Sequence, residues 1–142
     1  MANGFLLDTM TISEATKSNI NPGVASWLEH VDETRTFISV LTVGEVQKGI
    51  DRLDRNSPRR VVLEHWLVYD LLGKFGRRVL AFDVNAARLW GSLVASALSR
   101  QLTLPIIDSQ IAAIASLHGL TIVTRNDKHF SDVGATTLNP WM

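Results

Sequence analysis

The chain has 142 residues, 14 basic and 14 acidic side chains, and no cysteine. That length suits one domain, residues 1–142, which can bury its own core without a staple; the missing thiols exclude a disulfide framework and a thiolate metal site. No apolar run approaches the ~20 residues of a membrane helix. The first residues also lack the basic-then-apolar pattern of a secretory leader, so the expected location is cytoplasmic.

In chain order, a short strand covers about Gly4–Asp8 and drives three apolar residues, Phe5, Leu6 and Leu7, into a carboxylate. Asn21-Pro22 reads as a helix N-cap and first position, followed by Val24, Trp27, Leu28 and Val31 at helical spacing. Thr36–Val40 reads as a buried strand, and the next helix puts Val43, Val46, Ile50 and Leu53 on one face. Pro58 opens a helix carrying Val62, Trp66 and Leu67. Arg78–Phe82 is a third strand. A long helix follows with Trp90, Leu93, Val94, Ala97 and Leu98 as its apolar stripe. Asp108–His118 is helical and is stopped by Gly119. Leu120–Thr124 is a fourth strand, and the ATTLN segment supplies a short fifth.

Short, nearly all-apolar strands separated by helices predict a parallel sheet covered on both faces, an α/β/α sandwich with four to five strands. In such sheets ligands bind outside the carboxyl ends of the strands. Asp8 would lie on that edge, unless it only caps the turn. Two further acids belong there. Glu45 lies one turn into the helix after the second strand, and Asp108 begins the helix that leads into the fourth. Each has a purely structural alternative: Thr42 and Glu45 match a capping box, and Asp108 an N-cap.

Clustered carboxylates repel and raise one another's pKa unless a cation relieves them. A hard divalent ion, Mg²⁺ or Mn²⁺, takes oxygen ligands; it would activate water and clamp a phosphodiester. His30, His65, His118 and His129 show no paired spacing, which argues against zinc. Charge placement fits a phosphate-bearing substrate. Residues 1–51 hold three basic and seven acidic side chains, residues 52–78 seven basic and three acidic. That split is either a solvated helix face or a basic rim beside an acidic cleft.

Four segments in order, LLDTMTISE, FISVLTVGEVQKGIDRL, LPIIDSQIAAIASLHGLTIVTRN and LNPW, closely resemble the PIN-domain family, specifically the VapC/FitB-like toxins of toxin–antitoxin modules. The resemblance implies a Mg²⁺- or Mn²⁺-dependent endoribonuclease and a homodimer. It also implies inhibition by a small DNA-binding antitoxin of the VapB/FitA kind. By position, Asp8, Glu45 and Asp108 would bind the metal, with Asn126 a fourth active-site group and Thr9 and Thr124 hydroxyl-bearing neighbours.

Two departures stand out. Met10 occupies a place where the family often has Asn, and His129 stands at the fourth acidic position. The fourth group is therefore Asn126, Asp127 or His129. The alternative reading is a catalytically impaired PIN-like protein kept as a binding or regulatory partner. Phosphoaspartyl enzymes fit less well, since Met10 stands where a second Asp would be needed. A Gly-rich dinucleotide turn is absent. For the dimer, Trp27, Leu28 and the Trp66–Tyr69 segment are the interface candidates, and the Arg52–Tyr69 region, with Val62, Trp66 and Tyr69, the groove for an antitoxin tail.

Overall fold

Five parallel strands form one sheet in the order β3-β2-β1-β4-β5: β1 Phe5–Leu7, β2 Thr36–Ser39, β3 Val79–Leu80, β4 Thr121–Val123 and β5 Thr137–Leu138. The computed structural model describes residues 4–142; the first three residues of the expected domain lie outside the described residues. Helices α1 (Thr9–Ala15), α2 (Pro22–His30), α3 (Val40–Asp51), α4 (Pro58–His65), α5 (Leu72–Phe75), α6 (Val84–Ser99), α7 (Ile106–His118) and α8 (Asp127–Ser131) flank it, with a π-helical turn at Trp66–Leu71 joining α4 to α5.

Alternation along the central strands divides the core in two. Leu6 and Ile122 point to one face and pack with Ala86, Ile111, Ile114 and Phe130. Leu7 and Val123 point to the other and pack with Ile12, Ile38, Ile50 and Leu67. Both faces are covered, so strands apolar on both sides are what the architecture requires. Ala112, Ala113 and Ala115 are buried; their small side chains let α7 lie close to the sheet. Gly119 ends α7 in the left-handed conformation, φ 66°, where a residue without Cβ is least strained.

The chain runs β1, β2, β3 in one direction and then crosses back to place β4 on the other side of β1. The order therefore reverses between β1 and β4. In open parallel sheets, that point opens a crevice at the carboxyl edge.

Several boundaries shift from the sequence reading, each for a local reason. The second strand stops at Ser39 because its Oγ accepts from Thr42 N at 3.2 Å and caps α3. The third strand shrinks to two residues. Arg78 leaves it to donate to the carbonyls of Glu33, Thr36 and Lys74, and Ala81 and Phe82 become the connection to Asp83, which caps α6. Leu98 is 58% exposed and does not join the apolar stripe of α6. Leu67 is buried within the protein's own core, and Trp27, Leu28 and Trp66 pack against that core. Of the expected dimer surface Leu67 is therefore withdrawn, while Trp27, Leu28 and Trp66 stay partly exposed. The exposed apolar groups nearby are Val61, Val62, Val68 and Tyr69.

Candidate active site

Asp8 follows directly on β1, at the point where the strand order reverses. Its backbone N–H still donates to Val123 O at 3.1 Å, so the strand pairing carries through to this residue. Its side chain caps α1: Oδ1 accepts from Thr11 N at 2.9 Å and from Thr11 Oγ1 at 3.0 Å. The capping reading of Asp8 is thus correct, and α1 is a helix that the sequence reading missed. Capping does not exhaust the residue. A cap is normally solvated, whereas Asp8 is 5% exposed. Burial pushes its carboxyl above the ordinary Asp range, and the negative charge of Asp108 adds to that. Hydrogen bonds from Thr124 and Thr11 oppose the rise.

Asp108 occupies the third position of α7, which begins at Ile106 after Pro105. It is therefore not the N-cap. It stands in the first turn of the helix. Asp108 Oδ2 meets His129 Nδ1 at 2.9 Å. His129 lies on α8, a five-residue helix that follows β4. Of the three candidates for the fourth group, His129 is therefore the one that reaches a carboxylate. Asn126 bonds elsewhere: its Nδ2 donates to Met10 Sδ at 2.9 Å, and its N–H donates to Thr124 Oγ1 at 2.9 Å. Met10 thus holds the amide of Asn126 at the mouth of the crevice. Asp127 begins α8 and is exposed.

Glu45 is not a capping-box residue. Ser39, not Thr42, caps α3, so Glu45 stands beyond the first turn. Its Oε1 accepts from Thr9 Oγ1 at 2.6 Å. Thr9, the residue after Asp8, thereby brings α3 to the same edge; its Oγ1 also lies 3.2 Å from Thr42 Oγ1. Beyond Glu45 opens a cleft of about 280 Å³ whose walls include Lys17, Arg59, Leu53, Leu63 and Trp66. Of the basic residues of 52–78, Arg59 lines this cleft; Lys17, from the acidic first part of the chain, is paired with Glu14.

Thr11 was missed by the sequence reading. It is fully buried, and its hydroxyl lies 3.0 Å from Asp8 Oδ1 and 2.8 Å from Val123 O. The available signal was its place three residues after an N-cap Asp.

Donor chemistry here suits a hard cation: carboxylates and hydroxyls, with no thiolate. As they lie, however, no three His, Cys, Asp or Glu side chains among the described residues stand close enough together to hold an ion. A Mg²⁺ site needs only one or two carboxylates, with water completing the shell. Asp8, buried and close enough to Asp108 to feel its charge, meets that smaller demand.

The PIN domain family matches residues 5–135. The VapC ribonuclease Y4jK of Sinorhizobium fredii is 31% identical over 96% of both chains. Toxin FitB of Neisseria gonorrhoeae is 32% identical, covering 96% of this chain and 97% of that one. In the crystal structure of FitAcB from Neisseria gonorrhoeae, the matching chain superposes with a TM-score of 0.91 at 31% identity, over 96% of this chain and 98% of that one. A buried Asp at the switch point of a five-stranded parallel sheet, a second acid in the first turn of an Ala-rich helix and a full-length match to these proteins lead to one assignment: the chain belongs to the PIN-domain family.

Proposed function

We propose that this protein, as one domain spanning residues 1–142, is a divalent-metal-dependent endoribonuclease and the toxin half of a toxin–antitoxin pair. The observation that carries the reading is Asp8. A carboxylate held this deeply at the switch point, with a second acid close enough to raise its pKa further, destabilises the empty fold. Such an arrangement makes chemical sense when a cation or a developing positive charge joins it.

Asp8 and Asp108 would hold the ion, Mg²⁺ or Mn²⁺. Glu45 would complete the set by exchanging its bond from Thr9 for one to the ion or its water. When bound, the cation supplies water activation and charge for the phosphate. The protein's own groups do the rest. Thr11 and Thr124 favour the charged form of Asp8 against the effect of burial and hold it through their hydrogen bonds. His129 fixes Asp108 through Nδ1, leaving Nε2 to face a phosphate or a leaving oxygen. Asn126, held by Met10 and Thr124, borders the crevice where the backbone of RNA would pass.

The relatives give the partner. Toxin FitB matches this protein along its length, as does a chain of the FitAcB structure, and we infer a cognate antitoxin here. Its tail has a surface to occupy: a cleft of about 480 Å³ walled by Val61, Val62, Trp66, Arg59 and Asp70, next to the one that reaches Glu45. An Arg or Lys from that tail, placed among the three acids, would silence the site, since guanidinium pairs carboxylates bidentately. A homodimer would use exposed apolar groups rather than the buried Leu67.

The direct test is cleavage of a panel of structured and unstructured RNAs by the protein freed from its antitoxin, with Mg²⁺ or Mn²⁺, with chelator, and with an Asp8→Asn control. Metal-dependent cleavage lost in the variant supports the reading. RNA left intact in every metal, or cut equally by the variant, defeats it and leaves the binding-protein alternative.

A further inference from the structure

Next to the acids, on the β4–β5 side, lies a polar cleft of about 330 Å³ whose walls include Glu14, Asn19, Asn21, Arg125 and Trp141. None of these residues takes part in the chemistry above. The cleft adjoins that chemistry, because Arg125 follows Thr124, which bonds Asp8.

Its walls are built with some care. The C-terminal segment is tied down on α2. Asn21 Oδ1 accepts from Met142 N at 3.2 Å, and Asn21 Nδ2 donates to Met142 O at 3.0 Å. The same Oδ1 caps α2 through Gly23 N at 3.0 Å. Gly23 is required here, since a Cβ at that position would run into Pro140 O and Met142. Trp141 N donates to Asn139 Oδ1 at 3.0 Å. The backbone that carries the indole is therefore held, and the ring is partly buried, with the Arg125 guanidinium 6.0 Å from its centroid. Glu14 does not make the cleft repel anions. Its oxygens take Asn21 N at 2.9 Å and Lys17 Nζ at 3.0 Å, and two cations, Lys17 and Arg125, stand against one carboxylate.

A partly exposed indole beside a guanidinium, with an exposed amide (Asn19) across from them, is the chemistry that binds single-stranded nucleic acid: a base stacks on the aromatic ring and a phosphate meets the cation. We propose that this cleft is a subsite for one nucleotide of a single-stranded RNA, flanking the bond to be cut, with its base on Trp141 and its phosphate on Arg125. The proposal rests on the nuclease reading and extends it to how the strand is held. Holding the backbone around Trp141 through Asn21 and Gly23 means that little backbone ordering entropy is lost on binding.

The test uses full-length, antitoxin-free protein carrying Asp8→Asn to keep the RNA intact, titrated against a dye-labelled, mixed-sequence single-stranded RNA octamer, with affinity read from the anisotropy of the dye and the quench read separately by tryptophan fluorescence. Trp141→Ala and Arg125→Gln should each weaken binding about tenfold, and Arg125→Gln should also flatten the salt dependence by roughly 0.7 in log–log slope. Trp141→Phe keeps a stacking ring, so it should hold affinity within about threefold while removing most of the RNA-induced quench. A merely structural Trp141 would not separate those two readouts. Should Trp141→Ala fail to fold, Trp141→Phe and Arg125→Gln carry the test. Unchanged affinity in Arg125→Gln with the quench intact in Trp141→Phe overturns the subsite, as does an effect confined to antitoxin binding. If wild-type protein still cleaves RNA in that case, only the subsite falls; if it cleaves none, the nuclease reading has failed independently.

Discussion

Thr11→Val isolates what holds Asp8 in place. The two side chains have the same shape and the same β-branching, so the fully buried site gains no cavity and keeps its rotamer. What is lost is one hydroxyl proton shared between Asp8 Oδ1 at 3.0 Å and Val123 O at 2.8 Å. Neither acceptor is orphaned. Asp8 Oδ1 keeps Thr11 N at 2.9 Å, and Val123 O keeps Asp8 N at 3.1 Å. The cost is therefore that of one hydrogen bond to a charged group without a further desolvation penalty, about 2 kcal/mol. With a urea m-value of about 2 kcal/mol/M, the unfolding midpoint should fall by about 1 M at neutral pH.

The same change has a second consequence with a defined sign. Hydrogen bonds from Thr11 favour the charged form of Asp8 and hold down a pKa that burial raises. Removing the hydroxyl lets it rise further. If ionised Asp8 is needed for cleavage, the acid limb of the pH–rate profile moves to higher pH in Thr11→Val, and activity is recovered by raising the pH. A urea midpoint within 0.2 M of wild type, or an acid limb that stays put or moves down, would refute this account of how Asp8 is held.

Asp8→Asn and Asp108→Asn should each abolish metal-dependent cleavage with the fold intact by circular dichroism; turnover at the wild-type rate in either sinks the site. Asp8→Asn should also raise the urea midpoint of the metal-free protein. The folded pKa of Asp8 lies above its unfolded value, so above both values the ionised side chain costs stability, and that cost is relieved only as pH falls through the folded pKa; a lower midpoint contradicts the sign. Glu45→Gln should leave the midpoint nearly unchanged, because Ser39 and not Glu45 caps α3, while removing most of the activity; full activity would mark Glu45 as a bystander. Gly23→Ala should release the Pro140–Met142 segment, shifting tryptophan emission to longer wavelength and costing RNA affinity; an unchanged spectrum would show that the segment is not held there.

The fold class was legible because its signals are periodic. Four apolar strands, helical stripes and the Gly119 stop are all local, and the fifth strand was marked by its threonines. Element ends were less legible. Ser39 and Asp83 each resolve a strand–helix boundary by a side-chain bond to a backbone amide three residues on, and the apolar pattern carries no trace of that choice. Helix α1 was missed because TMTISEA has no run of apolar residues; it inserts Ile12 alone into the core and otherwise serves Asp8. The burial of Leu67 was hidden by the π-turn at Trp66–Leu71, which rotates that segment away from the face that a regular helix would present. The three acids were legible by place, their partners were not. His129 reaches Asp108 from 21 residues away only because α8 folds back over the start of α7.

The partners explain how the carboxylates of Asp8, Glu45 and Asp108 are satisfied within the protein itself. Each carboxylate is met by a donor: Asp8 by Thr11 of α1 and by Thr124, Glu45 by Thr9 of α1, and Asp108 by His129 of α8. Among the described residues no buried side-chain nitrogen or oxygen lacks a partner. Thr9 and Thr11 of α1, Thr42 of α3 and Thr124, just after β4, supply hydroxyls beside these acids. A hydroxyl can donate to a carboxylate when the site is empty and turn its lone pairs elsewhere when a cation arrives. A Lys or Arg in the same places would neutralise the acids permanently and compete with the ion. Neutral hydroxyls stabilise the charged carboxylates while leaving their charge available. That reasoning also separates His129 from the rest: it is the one titratable partner among these donors, carried on the short helix α8 that connects β4 to β5.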